Sequence, residues 1–400
     1  MAGDGHPDKT QRVLIVGGGI AGVEAALALR DLAGDRLALT LCDPRREFLF
    51  RPFAVGEPYG AARVFRYDLA HLAERAGTAF HGDGIVAVEP EQRTAVTRDG
   101  ERLSYDYLLV TGGVRMLWAI PGAVTFWGVA DEGQVGEVVT ELRAGALKRL
   151  IFTMPGGRSW ALPLYELALL AATELTKGAG RTALTIVTPE DAPLELFGHR
   201  AAEQMGALLA ERGIEVVTGA HPVRFDHGRL RVAPGEEIEA DAVISLPRLE
   251  GRRIRGIPND AEGFVGVDEH GRVIGLDRVF AAGDITNFPV KQGGIATQQA
   301  DAVAEAIAAD AGADVDPRPF DPVLRGVLWT GHEPRYLYGR PTGGHGEESR
   351  LGSEPHGVGG NGKISGRYLA PFVTSLVAGD GLETPGAPGR PRRLRLTRLA

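Results

Sequence analysis

Residues 12–24 read Arg-Val-Leu-Ile-Val-Gly-Gly-Gly-Ile-Ala-Gly-Val-Glu, and no other stretch constrains the fold as tightly. Residues 13–16 form a short apolar run, the pattern of a buried parallel strand. Gly17, Gly19 and Gly22 follow at G-x-G-x-x-G spacing, and residues 23–30 read as a helix. In a strand–turn–helix of this kind the first glycine permits the tight turn and the second lets a pyrophosphate approach the backbone. The third lets the helix pack close to the sheet, its N-terminus aimed at the phosphates. The next strand, 37–41, leads to Asp43, 21 residues beyond Gly22, where a carboxylate accepts hydrogen bonds from an adenosine ribose. The bland alternative is a glycine-rich turn with an incidental surface aspartate. The spacing and its context predict a dinucleotide site.

Four hundred residues at 44% hydrophobic content suggest two to three domains with ample core. A net charge of −8 argues against nucleic acid as a general partner. One cysteine, Cys42, rules out an intrachain disulfide or a cysteine-pair redox centre. It reads as a buried cysteine, with a redox role as the alternative. The first dozen residues are polar, and a cleaved signal peptide would remove the nucleotide-binding strand, so none is expected. The longest apolar helix candidate, 161–172, carries Glu166 and is too short to span a bilayer. No transmembrane segment is expected, and the chain is placed in the cytoplasm, soluble or peripherally membrane-associated.

Further along, 66–75 reads as a helix and 77–88 as a turn followed by a strand. Residues 94–97 and 102–104 flank Asp99-Gly100, a hairpin signal. A second buried strand, 107–110, ends in Thr111-Gly112-Gly113, which lets the backbone pass close beneath a nucleotide. Another strand–helix–strand unit follows, with strand 149–154, helix 163–175 and strand 183–188, then helix 200–211 and strand 214–217. Its turn, 155–163, lacks the glycine spacing. Strands 240–245 and 279–282 lead to Gly283-Asp284, the loop Lys291-Gln292-Gly293-Gly294 and a long helix, 295–309. From residue 317 the composition changes. Residues 324–330 and 335–337 read as a hairpin, 339–362 as a mobile loop, and 363–371 with 372–377 as an ordered segment. A basic tail carries five arginines within 389–399, either simply solvated or touching a membrane surface.

The predicted class is α/β: two Rossmann-like, three-layer ββα dinucleotide-binding domains plus a small C-terminal interface domain. Residues 1–120 and 246–322 form the first domain, 121–245 the second with its altered turn, and 323–400 the interface segment.

Together, Gly17-Gly18-Gly19-Ile20-Ala21-Gly22, Asp43, Thr111-Gly112-Gly113 and Phe280-Ala281-Ala282-Gly283-Asp284 resemble the pyridine nucleotide-disulfide oxidoreductase superfamily over about residues 12–340. Phe50-Arg51-Pro52 and Tyr105-Asp106-Tyr107-Leu108-Leu109-Val110 look like its branch of sulfide:quinone oxidoreductases, flavocytochrome c sulfide dehydrogenases and type II NADH dehydrogenases. The resemblance implies FAD along the first domain. Gly17 to Gly22 would meet its pyrophosphate, Asp43 its ribose, and Gly283 and Asp284 its ribitol. Arg51, Ile85, Thr111, Gly112 and Gly113 are further expected FAD contacts. Gln292 and Gly294 would open a helix towards the pyrimidine edge of the ring. Lys291 beside the ring would raise the flavin potential by stabilising the reduced anion.

Trp160-Ala161-Leu162-Pro163-Leu164-Tyr165-Glu166 resembles the segment that carries a flavin-adjacent cysteine in the sulfide-oxidising members, with Trp160 at the cysteine position. No cysteine lies downstream of Cys42, so cysteine-dependent sulfide oxidation is disfavoured. Trp160, Glu166 and Lys291 are the candidate catalytic residues. Trp160 either closes the flavin pocket or packs at a domain boundary, and Glu166 either orients a substrate or pairs with an arginine. Glu190 is a candidate for the NADH ribose or a plain loop carboxylate, and Gln298 and Gln299 match a quinone-pocket segment in part. His332 reads as a surface residue, and no cluster has metal-ligand spacing.

The resulting expectation is an FAD-dependent oxidoreductase that passes electrons from a small donor to an acceptor such as a quinone, with a homodimer as the candidate assembly. NAD(P)H is the first-choice donor because it needs no cysteine, although the altered turn counts against it. The alternatives are a flavin-binding redox-sensing or interaction module without turnover, and a sulfur oxidoreductase that works without protein cysteines.

Overall fold

The computed structural model describes residues 10–128, 133–178, 181–341, 349–354 and 363–379. Seven helices are used below: α1 (Ile20–Ala33), α2 (Leu69–Arg75), α3 (Gln134–Arg143), α4 (Leu162–Thr176), α5 (His199–Glu211), α6 (Gly293–Asp310) and α7 (Leu369–Gly379).

Apolar residues on both faces of a strand demand cover on both faces, and the first sheet has it. Its five parallel strands run in the order Val279–Ala281, Tyr107–Val110, Gln11–Val16, Leu37–Cys42, Ala79–His81. Val13, Ile15, Tyr107 and Leu109 point to one face, where they pack with residues of α1 and α6. Leu14, Val16, Leu108 and Val110 point to the other, against Val88 and Ala95. Those two belong to a small antiparallel sheet, Ile85–Glu89, Thr94–Thr97 and Arg102–Ser104. Strand periodicity thus builds three layers, each fully buried large side chain contributing ~1.5–3 kcal/mol.

The second domain repeats the plan. Its parallel sheet runs Val124–Thr125, Ala242–Ser245, Arg149–Thr153, Ala183–Val187, Ile214–Val217. Leu150, Phe152 and Ile186 meet residues of α3, α4 and α5. Ile151, Val187 and Val243 meet Leu230 and Val232 of a second antiparallel sheet. The chain leaves the first domain through Val114–Leu117 and returns through Arg248–Gly251, the two strands pairing antiparallel as a ribbon between the domains.

Two expectations need correction. Residues 66–75 are not one helix: Phe65–Asp68 pairs with Glu47–Phe50, and α2 starts only where the Asp68 carboxylate accepts the His71 N–H at 2.8 Å. That N-cap ends the strand and begins the helix. The 339–362 stretch is not loop throughout, because Arg350–Gly352 adds a third strand to the Leu324–Leu328 and Arg335–Gly339 hairpin. Edge pairing with Arg335–Gly339 stabilises a strand that its own composition does not announce. Within 363–377 the ordered segment is largely α7, whose Leu369, Val373 and Leu376 are buried in the first-domain core. Residues 342–348, 355–362 and the basic tail lie outside the described residues. No helix among the described residues is long and apolar enough to cross a membrane.

Candidate functional site

The glycine turn of the first domain is shaped by close approaches that only glycine tolerates. Gly17 has φ +118°, and a Cβ there would stand 2.5 Å from the Thr111 carbonyl oxygen; one on Gly22 would stand 1.9 Å from the Gly17 oxygen. Gly19 differs, since its Cβ would meet nothing within 4 Å. It opens onto a cleft of about 540 Å3. No side chain caps α1 at Gly19 and no acidic residue stands in its first turn, so its leading N–H groups remain available to an anion. The Asp43 carboxylate accepts the Gly18 N–H at 2.7 Å and an Arg45 ion pair at 2.9 Å. Burial alone would raise its pKa, but the Arg45 contacts and the Gly18 N–H hold it below the usual aspartate value.

The cleft gathers most of the expected FAD set. Gly18, Gly19, Ile20 and Ala21 of the turn line it, together with Arg51, Thr111 to Gly113, Gly283, Asp284 and Gln292; Gly283 abuts the turn, where a Cβ would stand 2.9 Å from that of Ala21. Gly17 and Gly22 lie behind the turn and shape it. Asp43 also stands behind the lining, 2% exposed. Ile85 and Gly294 do not line the cleft. Ile85 stands in the small antiparallel sheet, partly buried against the core beside it. At the start of α6 the residue that lines the cleft is Gly293. The Gln292 side chain packs beside Gly294 and caps the Ile295 N–H at 3.1 Å.

Gln299 anchors the residue before Asp284, its side-chain oxygen accepting the Gly283 N–H at 2.8 Å. Burial raises the Asp284 pKa, while Lys291 and Arg51 oppose the shift. Lys291 is 5% exposed, and its ammonium donates to the Thr286 and Phe288 carbonyls at 2.6 Å each, leaving one N–H. Burial brings the Lys291 pKa down to about 8. Gln298 and Gln299 do not line the cleft; Gln298 bonds the backbone of Gly294 and Val323.

Trp160 lines the cleft and packs on Phe197, ring centroids 5.7 Å apart, so it serves as wall and as packing at once. Glu166 does pair with a cation, but that cation is a lysine. Lys363 reaches its carboxylate at 2.5 Å, the Trp329 N–H donates to it at 2.8 Å, and the Lys363 ammonium lies 4.6 Å from the Trp329 ring centroid. The side chains of Lys363 and Glu166 are 6% and 2% exposed, and both line the cleft. Burial raises the Glu166 pKa and lowers that of Lys363, each opposed by the partner's charge. Lys363 lies 197 positions along the chain from Glu166, and no sequence motif marks it. Arg45 and Arg252 also line the cleft unannounced.

The remaining candidates are structural. The Cys42 thiol is 1% exposed and donates to the Asp83 carbonyl, and burial pushes its pKa up to about 12. Glu190 accepts the Tyr165 hydroxyl at 2.5 Å and the Thr188 hydroxyl at 2.9 Å, and burial lifts its pKa to about 6. His332 is exposed in the hairpin turn. Among the described residues no group of three His, Cys, Asp or Glu could hold a metal ion.

The model of the family described as pyridine nucleotide-disulphide oxidoreductase matches residues 6–153 and 164–307. The chain belongs to that family. Its members are FAD-dependent oxidoreductases, and the open glycine cradle, the uncapped helix end, and Asp284 and Lys291 in one cleft fit that cofactor. A sulfide-quinone reductase of Aquifex aeolicus is 25% identical over 307 residues, covering 70% of this chain and 69% of its own. An NADH dehydrogenase-like protein of Mycobacterium tuberculosis is 25% identical over 309 residues, covering 68% and 72%. The solved structure of the Aquifex sulfide:quinone oxidoreductase superposes with a TM-score of 0.79 at 21% identity, covering 93% of this chain and 92% of that one.

Proposed function

We propose that this oxidoreductase passes electrons from a small donor to a quinone-type acceptor that is reduced beside Glu166 and Lys363. One observation carries the reading: the glycine turn, Asp284, Lys291 and the buried Glu166–Lys363 pair all line one cleft. FAD, when held there, supplies reversible two-electron transfer. The chain's residues supply the rest. The N-terminus of α1 and Arg51 would hold the diphosphate, Asp284 the ribitol, and the Lys291 ammonium would stabilise negative charge at the ring. Quinone reduction takes two electrons and two protons. A hydride from the reduced cofactor would bring both electrons and one proton, and the Glu166–Lys363 pair, a carboxylate pushed up against an ammonium pushed down, would give the second proton and regain it from solvent.

The second domain bears on the choice of donor. NAD(P)H, the first choice from sequence, would lay its pyrophosphate against residues 155–159. The Ser159 carbonyl there accepts the Lys291 backbone N–H at 3.1 Å, and Arg158 pairs with Asp260 and Glu262 of the first domain. Glu190, the ribose candidate, is engaged by Tyr165. These contacts favour the second reading, a small donor without a nucleotide, with sulfur species the first class to test. The experiment is anaerobic: flavin absorbance is followed while sulfide, NADH and NADPH are added separately, and a soluble quinone is then supplied. Bleaching by a small donor and recovery with quinone are expected. Bleaching by neither donor class would leave the module without turnover as the better account.

A further inference from the structure

Arg158 lies outside the cleft lining, yet it is tied to a residue inside it. Its guanidinium pairs with Asp260 at 3.0 Å and with Glu262, and stands 4.7 Å from the centroid of the Phe264 ring. The Lys291 ammonium stands 4.1 Å from the same centroid. Phe264 is fully buried. Its backbone N–H and that of Glu262 both donate to the Asp260 carboxylate, which stiffens the 260–264 loop. The chain next to Arg158 is joined to the chain next to Lys291 as well, because Ser159 bridges Val290 and accepts the Lys291 N–H. Two cations of different domains therefore share one ring, one of them facing the cleft and the other neutralised by two acids.

We propose that Arg158 is a positioning residue for Lys291: by stapling the middle turn to the 260–264 loop and sharing the Phe264 ring, it fixes where the Lys291 ammonium stands and how much charge the flavin site meets there. The proposal rests on the flavin reading and goes beyond it, because it gives the altered turn a task of its own. The charged groups that act on Lys291 are Asp284, Arg158, Asp260 and Glu262. Burial is the largest cause of its lowered pKa, Asp284 opposes it, and Arg158 lowers it further. Loss of the Arg158 charge exposes Lys291 to two unneutralised acids, so the ammonium holds its proton to higher pH. Loss of Glu262 has the opposite sign.

The test is the midpoint potential of the bound flavin against pH in the FAD-loaded protein. In the unmodified protein the potential falls more steeply above about pH 8, where Lys291 loses its charge, and Lys291→Met removes that break. Arg158→Gln should move the break upward, towards the ordinary lysine value of 10.5. Glu262→Gln should move it downward, and Arg158→Lys, which keeps the charge, should leave it near 8. Limited proteolysis should also cleave the 155–163 turn faster in Arg158→Gln than in Arg158→Lys. A break that stays in place in Arg158→Gln, or that moves the same way in Arg158→Gln and Glu262→Gln, overturns the proposal. A protein that takes up no flavin with any residue at 158 overturns the flavin reading as well, so the two failures are distinguishable.

Discussion

The two Rossmann-like domains are built alike, each with a five-stranded parallel sheet between helices and a three-stranded antiparallel sheet, but their first turns have opposite fates. In the first domain, Gly17 and Gly22 bring strand, turn and α1 within van der Waals reach, and the leading N–H groups of α1 stay available. In the second, residues 155–160 spend their polar groups on the neighbouring domain, through Arg158 and the Ser159 carbonyl. The acids beyond the second strands diverge too. Asp43 braces its own turn as an ion pair, whereas Glu190 turns to the Tyr165 hydroxyl and holds its proton more tightly. A shared fold thus carries two different tasks, a ligand site and a strut, and only the local polar groups tell them apart.

The difference can be attacked directly. Gly22→Val puts a side chain where a Cβ already stands 1.9 Å from a backbone oxygen. It should cost ~5 kcal/mol, the upper end for a single substitution, and yield protein without flavin, read from its absorbance. Next in size is Lys363→Met, which strands the buried Glu166 carboxylate. A loss of about 3–4 kcal/mol is expected in chemical denaturation, with quinone reoxidation slowed roughly 100-fold and donor reduction unchanged. The double variant Glu166→Gln/Lys363→Met should recover much of the stability and none of the reoxidation rate.

Glu190→Gln sharpens the contrast between the two acids. The folded-state pKa of Glu190 is raised from 4.5 to about 6, so its favourable contribution is complete below 4.5 and is lost as pH rises through 6. The glutamine variant should therefore be more stable than the parent above pH 6, by roughly 2 kcal/mol, a shift of about 1.5 pH units. Denaturant midpoints at pH 5 and 7.5 would show it, and an unchanged difference between the two pH values would count against a protonation role. Gly157→Ala is the smallest change. The glycine has φ +104°, and a Cβ there would meet no atom within 4 Å, so backbone strain alone should cost about 1–2 kcal/mol, with flavin content intact.

Much of this was legible in the residues. The 12–24 stretch declares strand, turn and helix because alternating burial and glycine spacing are local properties. The strand end before Asp284 and the glycine-rich helix entry after Lys291 are local in the same way, whereas the tasks of those two residues came from the resemblance. Lys363 was not legible: it enters the cleft through tertiary contacts of α7, from a segment with no periodic signal of its own. Arg158 was hidden for a related reason, since its partners Asp260 and Glu262 lie about a hundred residues on and belong to the other domain. Ile85 and Gly294 were carried over from the resemblance alone. The Gln292 cap beside Gly294 is local geometry that a motif does not contain. The start of α2 was missed because the Asp68 cap lies inside an otherwise helical composition.

The most direct measurement is a titration of NADH, and separately of ADP-ribose, into the FAD-loaded protein by anaerobic calorimetry with flavin absorbance recorded alongside. One dinucleotide per chain is predicted: FAD stays bound in the first domain, and neither added ligand gives saturable binding or rapid bleaching at millimolar concentration. Saturable NADH uptake with fast bleaching would show that the stapled turn opens to a second dinucleotide and would contradict the division of labour between the two domains.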